Sequence, residues 1–202
     1  MPRCVGCLSL ERHRAYRLGF AAISPWFERR QALQFSDDPA IPRHPFTTFE
    51  VSQYGGPNSL DLQSIDRENN AYDMVIANHV LEHVADDFAA LKELDRVCSD
   101  TGVVALSVPD LLRIARTSEY GRRRDDKHGH YRVYGPDIVE RFEAAVPSWS
   151  VLAVTVADPV TGAPDRLNFL SRSVPTLETL CDLLRDAMLA PRFVLNGPNN
   201  QP

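Results

Sequence analysis

Residues 70–84, NAYDMVIANHVLEHV, contain the strongest fold signal in the chain. Met74–Ala77 is an apolar run, and the polar residues Asn78 and His79 follow it directly. A short run without polar residues is typical of a parallel strand that helices cover on both faces. We therefore expect a buried strand here that ends at Asn78 and His79.

Five other segments have the composition of strands. Val103–Val108 and Val151–Val156 are nearly continuous in apolar residues, like Met74–Ala77. Weaker candidates are Ala32–Phe35, Thr47–Val51 and Leu167–Leu170. Runs of this length, separated by longer amphipathic stretches, indicate strands that alternate with helices.

The amphipathic stretches between these strands are predicted to be helices. An acidic pair at positions 86–87 begins one of them, because acids are favourable at the positive end of a helix dipole. Its apolar residues recur at helical spacing as Phe88, Leu91, Leu94 and Cys98. Pro136 begins and Pro147 ends another helix. Residues 9–28 and 176–189 are predicted to be helical near the two ends of the chain.

The predicted order is helix, strand, helix, strand, strand, helix, strand, helix, strand, strand. This order favours an α/β protein with a Rossmann-like, doubly wound and mostly parallel sheet, helices on both faces and an antiparallel last strand. We expect this domain over residues 31–173. Residues 1–30 would be a helical extension, and residues 174–202 a C-terminal helix with a mobile tail from Pro191. Such sheets bind ligands beyond the carboxyl ends of their strands.

The composition is that of an ordinary globular chain. The 202 residues are 44% hydrophobic and 24% charged, with a net charge of −5 that gives no bulk attraction to nucleic acid or to an anionic membrane. Basic residues cluster within residues 1–30 and at Arg122–Arg124, which we interpret as solvated surfaces. Four cysteines do not form a secreted disulfide pattern, and no signal peptide or membrane span is evident. We therefore expect a cytoplasmic protein.

Residues 70–109 resemble class I S-adenosylmethionine-dependent methyltransferases of the methyltransferase-11 kind. In that family, a stretch similar to residues 70–84 forms the fourth strand and the turn that follows it. Ala90–Val97 resembles the next helix, and Leu106–Pro109 resembles the end of the fifth strand. Ser99–Gly102 replaces the family's usual Lys-Pro-Gly-Gly turn.

A narrower resemblance covers most of residues 4–171. Cys4-Val-Gly-Cys7, followed by Ser9–Arg14, is similar to a subgroup with an N-terminal CxxC…ERHR motif and no glycine-rich first motif. Leu33–Asp38 stands where other relatives have the glycine-rich turn, and His130–Gly135 resembles an element that precedes a helix in this subgroup. The resemblance implies that S-adenosylmethionine is the cofactor and that a methyl group is transferred to an acceptor.

The resemblance also implies which residues bind the cofactor. They lie at and after the ends of the strands, where the cofactor of such a sheet is held. The implied residues are Phe35, Ser36, Asp37, Asp38, Glu50, Asp61, Leu62, Asn78 and His79.

Five of these residues, in three segments, have a simpler interpretation. Ser36–Asp38 would contact the methionine and ribose portions, but the segment could instead cap a helix. Glu50 would accept both ribose hydroxyls with its two carboxylate oxygens, or be an exposed residue of an edge strand. Asp61, which matches an acid after the family's third strand, would face the adenine amino group or serve as a turn residue.

The candidate catalytic residues are His79, His130 and Tyr134. The resemblance implies that Asn78, His79 and Glu82 lie on the loop where the methyl group would point, with His79 or His83 as a possible base, and that His130 and Tyr134 lie on the substrate side. A base is needed only when the acceptor must lose a proton, so His79 could instead position the cofactor and His130 could tie down a loop. Cys4 and Cys7 have metal-ligand spacing, but a structural zinc site normally needs four ligands, and we expect no metal site.

The sequence therefore predicts a methyltransferase that uses S-adenosylmethionine and an unidentified small-molecule or macromolecular acceptor. The alternative is a non-catalytic methyltransferase-like protein that acts as a binding or scaffold module. A third interpretation, RNA binding through the N-terminal arginines, is less favoured, and nucleic acid is not an expected partner. Neither the acceptor nor the oligomeric state can be read from these residues.

Overall fold

The computed structural model describes residues 4–6, 9–109 and 114–197. The described residues form four α-helices and nine strands, and none of these helices is long and apolar enough to cross a membrane. The helices are α1 (Glu11–Ala22), α2 (Asp87–Val97), α3 (Ile138–Ala145) and α4 (Val174–Asp186). The strands are β1 (Gln31–Phe35), β2 (Thr48–Ser52), β3 (Tyr72–Asn78), β4 (Cys98–Ser107), β5 (Ser118–Arg124), β6 (His130–Val133), β7 (Ser150–Ala157), β8 (Pro164–Ser171) and β9 (Arg192–Leu195).

Seven strands form one sheet in the order β2-β1-β3-β4-β8-β7-β9. The pairs β1–β2, β1–β3 and β3–β4 are parallel, whereas β8 is antiparallel to both β4 and β7. β9 pairs antiparallel with β7 at the edge. Five of the seven strands therefore run in the same direction, which confirms the predicted Rossmann-like, mostly parallel sheet with an antiparallel last strand.

β3 lies inside the sheet, and its residues alternate between two cores. Val75 and Ala77 belong to the core beneath α2 and α3, while Met74 and Ile76 belong to the core beneath α1 and α4. All four side chains are fully buried. A strand covered on both faces needs apolar residues on both faces, which explains why the run Met74–Ala77 was a reliable signal.

The start of α2 follows from its capping residue. Asp86 precedes the helix in an extended conformation, and its side chain accepts a hydrogen bond from the backbone N–H of Ala89. This bond satisfies one of the four N–H groups that a helix start leaves without a partner. The helix predicted from the acidic pair at positions 86–87 is thus confirmed.

The helix predicted between the first two strands does not form. Residues 36–47 are a series of turns, and they contain Pro39, Pro42 and Pro45. Proline lacks a backbone N–H and disfavours the helical conformation of the residue before it. The helix-cap interpretation of Ser36–Asp38 is therefore wrong, and the Asp38 side chain instead accepts a hydrogen bond from the N–H of Ala40 within the turn.

β5 and β6 form a separate two-stranded antiparallel sheet that the sequence did not predict. β5 has the sequence SEYGRRR, and most of its residues are exposed. Because neither face of this strand enters a core, it has no apolar pattern that could reveal it. The basic cluster Arg122–Arg124 lies on β5.

The end of the described chain corrects the prediction of a mobile tail from Pro191. Residues 192–195 form β9, and the next residue, Asn196, is hydrogen-bonded through both its side chain and its backbone. Its side chain donates to the carbonyl of Trp149 at 2.9 Å, and its own carbonyl accepts from the Ser150 hydroxyl at 2.7 Å. Residues 198–202 of the predicted tail lie outside the described residues.

Candidate active site

The candidate site lies at the carboxyl ends of β1, β3 and β4. From β1 the chain continues to β2 on one side of the sheet, whereas from β3 it continues to β4 on the other side. The loops that follow β1 and β3 therefore diverge and leave a crevice between them. Crevices of this kind are the ligand sites of open α/β sheets.

Two residues at this crevice have a left-handed backbone conformation without being glycine. Ser36 follows β1 with φ of 63°, and His79 follows β3 with φ of 54°. The backbone N–H of Ser36 donates to the carbonyl of Ser52 at 2.8 Å, and that of His79 donates to the carbonyl of Ser107 at 2.9 Å. The neighbouring strands therefore hold both turns. Such conformations are costly for residues with a Cβ and are concentrated at functional sites.

Gln34 supports the turn that replaces the glycine-rich motif. Its side chain is fully buried, and its amide nitrogen donates to the carbonyl of Ser36 at 2.7 Å. Its side-chain oxygen has no hydrogen-bond partner among the described residues. Gln34 lies within the segment Leu33–Asp38 that the resemblance places at the cofactor, but its supporting contact with the Ser36 carbonyl was not predicted.

Asn78 ends β3 beside β4. Its side-chain oxygen accepts a hydrogen bond from the Ser107 hydroxyl at 3.0 Å, while its amide nitrogen is buried and has no acceptor in the described chain. A buried donor without a partner costs about 1–3 kcal/mol. Asn78 thus has a buried side-chain N–H group without a described acceptor, at the end of the strand that borders the crevice.

α1 contributes to the crevice through Tyr16. The Tyr16 hydroxyl is hydrogen-bonded to Nε2 of His79 at 3.1 Å. Burial raises the pKa of Tyr16 well above its ordinary value, so the phenol is neutral at physiological pH. Tyr16 was not identified from the sequence, because nothing in the pattern of α1 indicates which of its buried residues meets His79.

A cluster of histidines surrounds Glu82 in the 3-10 turn Leu81–His83, directly after β3. The side chain of Glu82 is 1% exposed, and its Oε1 lies 3.7 Å from Nδ1 of His79 and 3.9 Å from Nε2 of His83. Its Oε2 has no hydrogen-bond partner in the described part of the chain. His130, the first residue of β6, stacks edge-to-face on His83 with 4.7 Å between the ring centroids. Burial lowers the pKa of His130.

Tyr134 lies in the core, which corrects its predicted substrate-side position. It is fully buried, its hydroxyl donates to Asp87 at 2.8 Å, and burial raises its pKa. Arg141 also donates to Asp87, at 2.7 Å. Nearby Arg132 donates to the carbonyls of Val84 and Ala85 at 2.7 Å each. This network fastens β6 to the loop between β3 and α2.

Glu50 lies in β2 and is already bound by other side chains. Arg67 and Tyr72 donate to its carboxylate, and the amide of Asn58 donates at 2.9 Å. The Arg67 guanidinium, helped by the hydrogen bonds from Tyr72 and Asn58, lowers the pKa of Glu50 to about 2. Glu50 is thus more than an exposed edge residue. Binding of ribose hydroxyls by Glu50 stays a prediction, and it would require one of these partners to be replaced.

The segment around Asp61 departs from the pattern that the resemblance implies. No strand lies between β2 and β3, so the family's third strand is missing, and the segment has only an isolated bridge between Asp61 and Ser64. Asp61 is exposed and accepts a hydrogen bond from the N–H of Gln63 at 2.9 Å, as a turn residue does. Leu62 is buried.

The remaining predicted residues are divided between the crevice and the surface. Phe35 is buried at the end of β1. Asp37 is exposed and forms an ion pair with Arg43. Cys4 is a free cysteine, and Cys7 lies outside the described residues.

The strand order and the crevice between β1 and β3 define an α/β protein of the class I methyltransferase type. The family described as "Methyltransferase domain" matches residues 23–145, which is more than half of the chain. No curated protein matches the chain.

Two solved structures show the same fold. One is the 1,6-didemethyltoxoflavin-N1-methyltransferase of Burkholderia thailandensis, solved with 1,6-didemethyltoxoflavin and S-adenosylhomocysteine, with a TM-score of 0.57 and 14% identity over 78% of each chain. The other is a SAM-dependent methyltransferase from Aquifex aeolicus, with a TM-score of 0.50 and 12% identity over 80% of this chain and 93% of that chain.

The chain belongs to the methyltransferase-domain family. The protein is an S-adenosylmethionine-dependent methyltransferase, which confirms the predicted enzyme class and cofactor.

Proposed function

We propose that the crevice at the ends of β1 and β3 holds S-adenosylmethionine. The main support is the unused amide N–H of Asn78, which is buried at the point where the loops after β1 and β3 diverge. The unused side-chain oxygen of Gln34 lies on the adjacent strand. S-adenosylmethionine has carboxylate and hydroxyl oxygens that can accept a hydrogen bond from the Asn78 amide. Its hydroxyl and ammonium groups can donate to the side-chain oxygen of Gln34. Both buried residues therefore fit the cofactor.

S-adenosylmethionine supplies an activated methyl group, and its transfer is a direct displacement. The protein's main task is then to align donor and acceptor, because alignment alone accounts for much of the rate. We assign this positioning role to His79, whose backbone is held by Ser107 and whose ring is held by Tyr16. His130 borders the acceptor side.

We propose further that the chain belongs to the subgroup with an N-terminal CxxC…ERHR motif and no glycine-rich first motif. Ser36 and Gln34 build the turn that glycines build elsewhere, and this supports the assignment. Arg14 of the ERHR motif donates twice to the buried carboxylate of Asp158, at 2.7 Å each. This ion pair fastens the start of α1 to the loop between β7 and β8.

We also propose a cytoplasmic location and an acceptor that is either a small molecule or a macromolecule other than nucleic acid. The three described cysteines, Cys4, Cys98 and Cys181, are free, which is in keeping with a reducing compartment. The net charge of −5 offers no general attraction for RNA.

Calorimetric titration with S-adenosylmethionine and S-adenosylhomocysteine tests the cofactor site. We expect micromolar binding, which corresponds to about −8 kcal/mol. Replacement Asn78→Ala should weaken binding about tenfold, because it removes a donor that is buried and preorganised. The control Gln53→Ala changes an exposed amide side chain and should bind like the unmodified protein.

Two outcomes would contradict the proposal. Equal affinity of the Asn78→Ala and Gln53→Ala variants would mean that the cofactor does not use Asn78. Absence of binding to the unmodified protein would mean that this crevice does not hold the cofactor.

A further inference from the structure

Glu82, His83 and His130 bring three potential metal-ligand atoms together. The carboxylate oxygen and the two ring nitrogens all lie within 4.8 Å of one another. Metal–ligand bonds of about 2.0–2.2 Å place the ligand atoms of a tetrahedral ion roughly 3.3–3.6 Å apart. Rotations of the side chains that shorten these separations by about 1 Å would therefore complete a coordination site.

The burial of Glu82 is the second observation that indicates a cation. Its side chain is 1% exposed, yet Oε2 has no donor, and the histidine nitrogens nearest to Oε1 lie 3.7 and 3.9 Å away. These distances are too long for hydrogen bonds. Buried carboxylates are normally paired or coordinate a metal, and Glu82 has neither an arginine nor a lysine beside it in the described chain.

We propose that Glu82, His83 and His130 bind a divalent transition-metal ion. Two imidazoles and one carboxylate are a ligand set that suits Zn²⁺ or Fe²⁺ and leaves coordination positions open, whereas Mg²⁺ and Ca²⁺ prefer oxygen ligands alone. The His83 side chain is 42% exposed, so the ion can enter from solvent. A tetrahedral ion held by three protein ligands has one further position, which an oxygen ligand such as water can take.

The surrounding structure holds the two halves of this site in place. Glu82 and His83 lie in the turn after β3, and His130 lies on the β5–β6 hairpin. Arg132, two residues after His130, donates to the carbonyls of Val84 and Ala85 and so fixes the hairpin against that turn. Sites whose ligands are held by such outer contacts lose little entropy when the ion binds.

The proposed ion site is independent of methyl transfer and of the CxxC motif. Binding of a metal to Glu82, His83 and His130 can be measured without the cofactor, so its failure would leave the cofactor site untouched. Cys4 and Cys7 have metal-ligand spacing of their own. A Cys4→Ser/Cys7→Ser double variant therefore serves as the starting protein for the test.

The test is calorimetric titration with Zn²⁺ alone of the Cys4→Ser/Cys7→Ser variant, after a chelator has removed any bound metal. We expect one ion per chain, with micromolar or tighter affinity. Loss of outer contacts alone weakens metal sites by about 10–100-fold, so Glu82→Gln, His83→Ala and His130→Ala should each weaken binding by at least tenfold. The control His44→Ala changes an exposed histidine in the segment between β1 and β2 and should leave the affinity unchanged.

A second measurement needs no substitution at the site and so does not depend on the folding of the variants. In NMR spectra of the histidine side chains, Zn²⁺ should shift the ring-nitrogen signals of His83 and His130 but not those of His44. Absence of Zn²⁺ binding, binding that all three site variants retain, or equal shifts of all six histidines would each overturn the proposal.

Discussion

Two sets of buried or partly buried polar residues in this protein differ in how completely their hydrogen bonds are satisfied. The support region consists of Asp87 and Glu50, whose carboxylates are surrounded by donors from Tyr134 and Arg141 and from Arg67, Tyr72 and Asn58, respectively. The site region consists of Gln34, Asn78 and Glu82, each of which has one buried polar atom without a partner.

The difference indicates what each region does. A satisfied buried network stabilises a particular packing arrangement, whereas an unsatisfied one costs stability unless a ligand completes it. Changes in the support region should therefore lower the free energy of unfolding. Changes in the site region should lower ligand affinity with little effect on stability.

The largest effect is expected for Asp87→Ala. Its side chain is 4% exposed, and its removal takes away one of the two acceptors of the Arg141 guanidinium, which keeps Glu119. The Tyr134 hydroxyl is left with the carbonyl of Leu81 at 3.4 Å as its acceptor. Removing one partner of a buried ion pair lowers the free energy of unfolding by about 3–5 kcal/mol. We expect a loss of about 3 kcal/mol in urea unfolding, against less than about 0.5 kcal/mol for the exposed control Asp66→Ala. Similar stabilities of the two variants would mean that the network does not support the fold.

An intermediate effect, on binding rather than stability, is expected for Gln34→Leu. The variant loses the donor to the Ser36 carbonyl and loosens the turn after β1, but it also removes the unsatisfied side-chain oxygen. Stability should change by less than about 1 kcal/mol, whereas affinity for S-adenosylhomocysteine should fall about tenfold. A large loss of stability with unchanged affinity would place Gln34 in the support region instead. Calorimetry and urea unfolding of the same preparation distinguish the two results.

The smallest effect is expected for Glu50→Gln, since Glu50 and Arg67 remain partly exposed. We expect a loss of about 1 kcal/mol at neutral pH, because solvent screens the ion pair. The pKa of Glu50 is lowered from 4.5 to about 2, so its contribution is present above pH 4.5 and disappears as the pH falls towards 2. Urea unfolding at several pH values should therefore show the two proteins converging in acid.

Glu68→Gln, which changes an exposed glutamate of the same loop, is the control for this pH series. A Glu50→Gln difference that persists at pH 2 would show that the ion pair with Arg67 is not its source.

The sequence predicted the parts of the fold that carry an apolar pattern. β3, β4 and β7 are strands with apolar runs, and the acidic pair at positions 86–87 revealed the start of α2. It did not reveal β5, whose residues are exposed and charged, or β9, which is four residues long. A short edge strand depends on its neighbour for pairing, and that neighbour, β7, is distant in the chain.

The sequence indicated candidate site residues only where the end of an apolar run marked the end of a strand. Asn78 and His79 were predicted to end a strand because they directly follow an apolar run, and β3 ends at Asn78. Tyr16 was missed because its role depends on its contact with His79, which arises only when the chain has folded. Glu82 was placed on the loop near the methyl group, but its burial and its neighbouring histidines were not predicted. Likewise, the partners of Glu50 lie 17 and 22 residues away at Arg67 and Tyr72, and no local pattern links them.

The short strand β9 also has a consequence for solubility. Without it, β7 would be the edge of the sheet, and its sequence SVLAVTVA has no charged residue. An exposed edge with high β-propensity and no charge is a template for pairing with other chains and for aggregation. β9, which begins with Arg192, pairs with Val151–Ala153 and so covers the first part of this edge with a short strand that carries a charge. Short edge strands with charged residues pair poorly with other molecules.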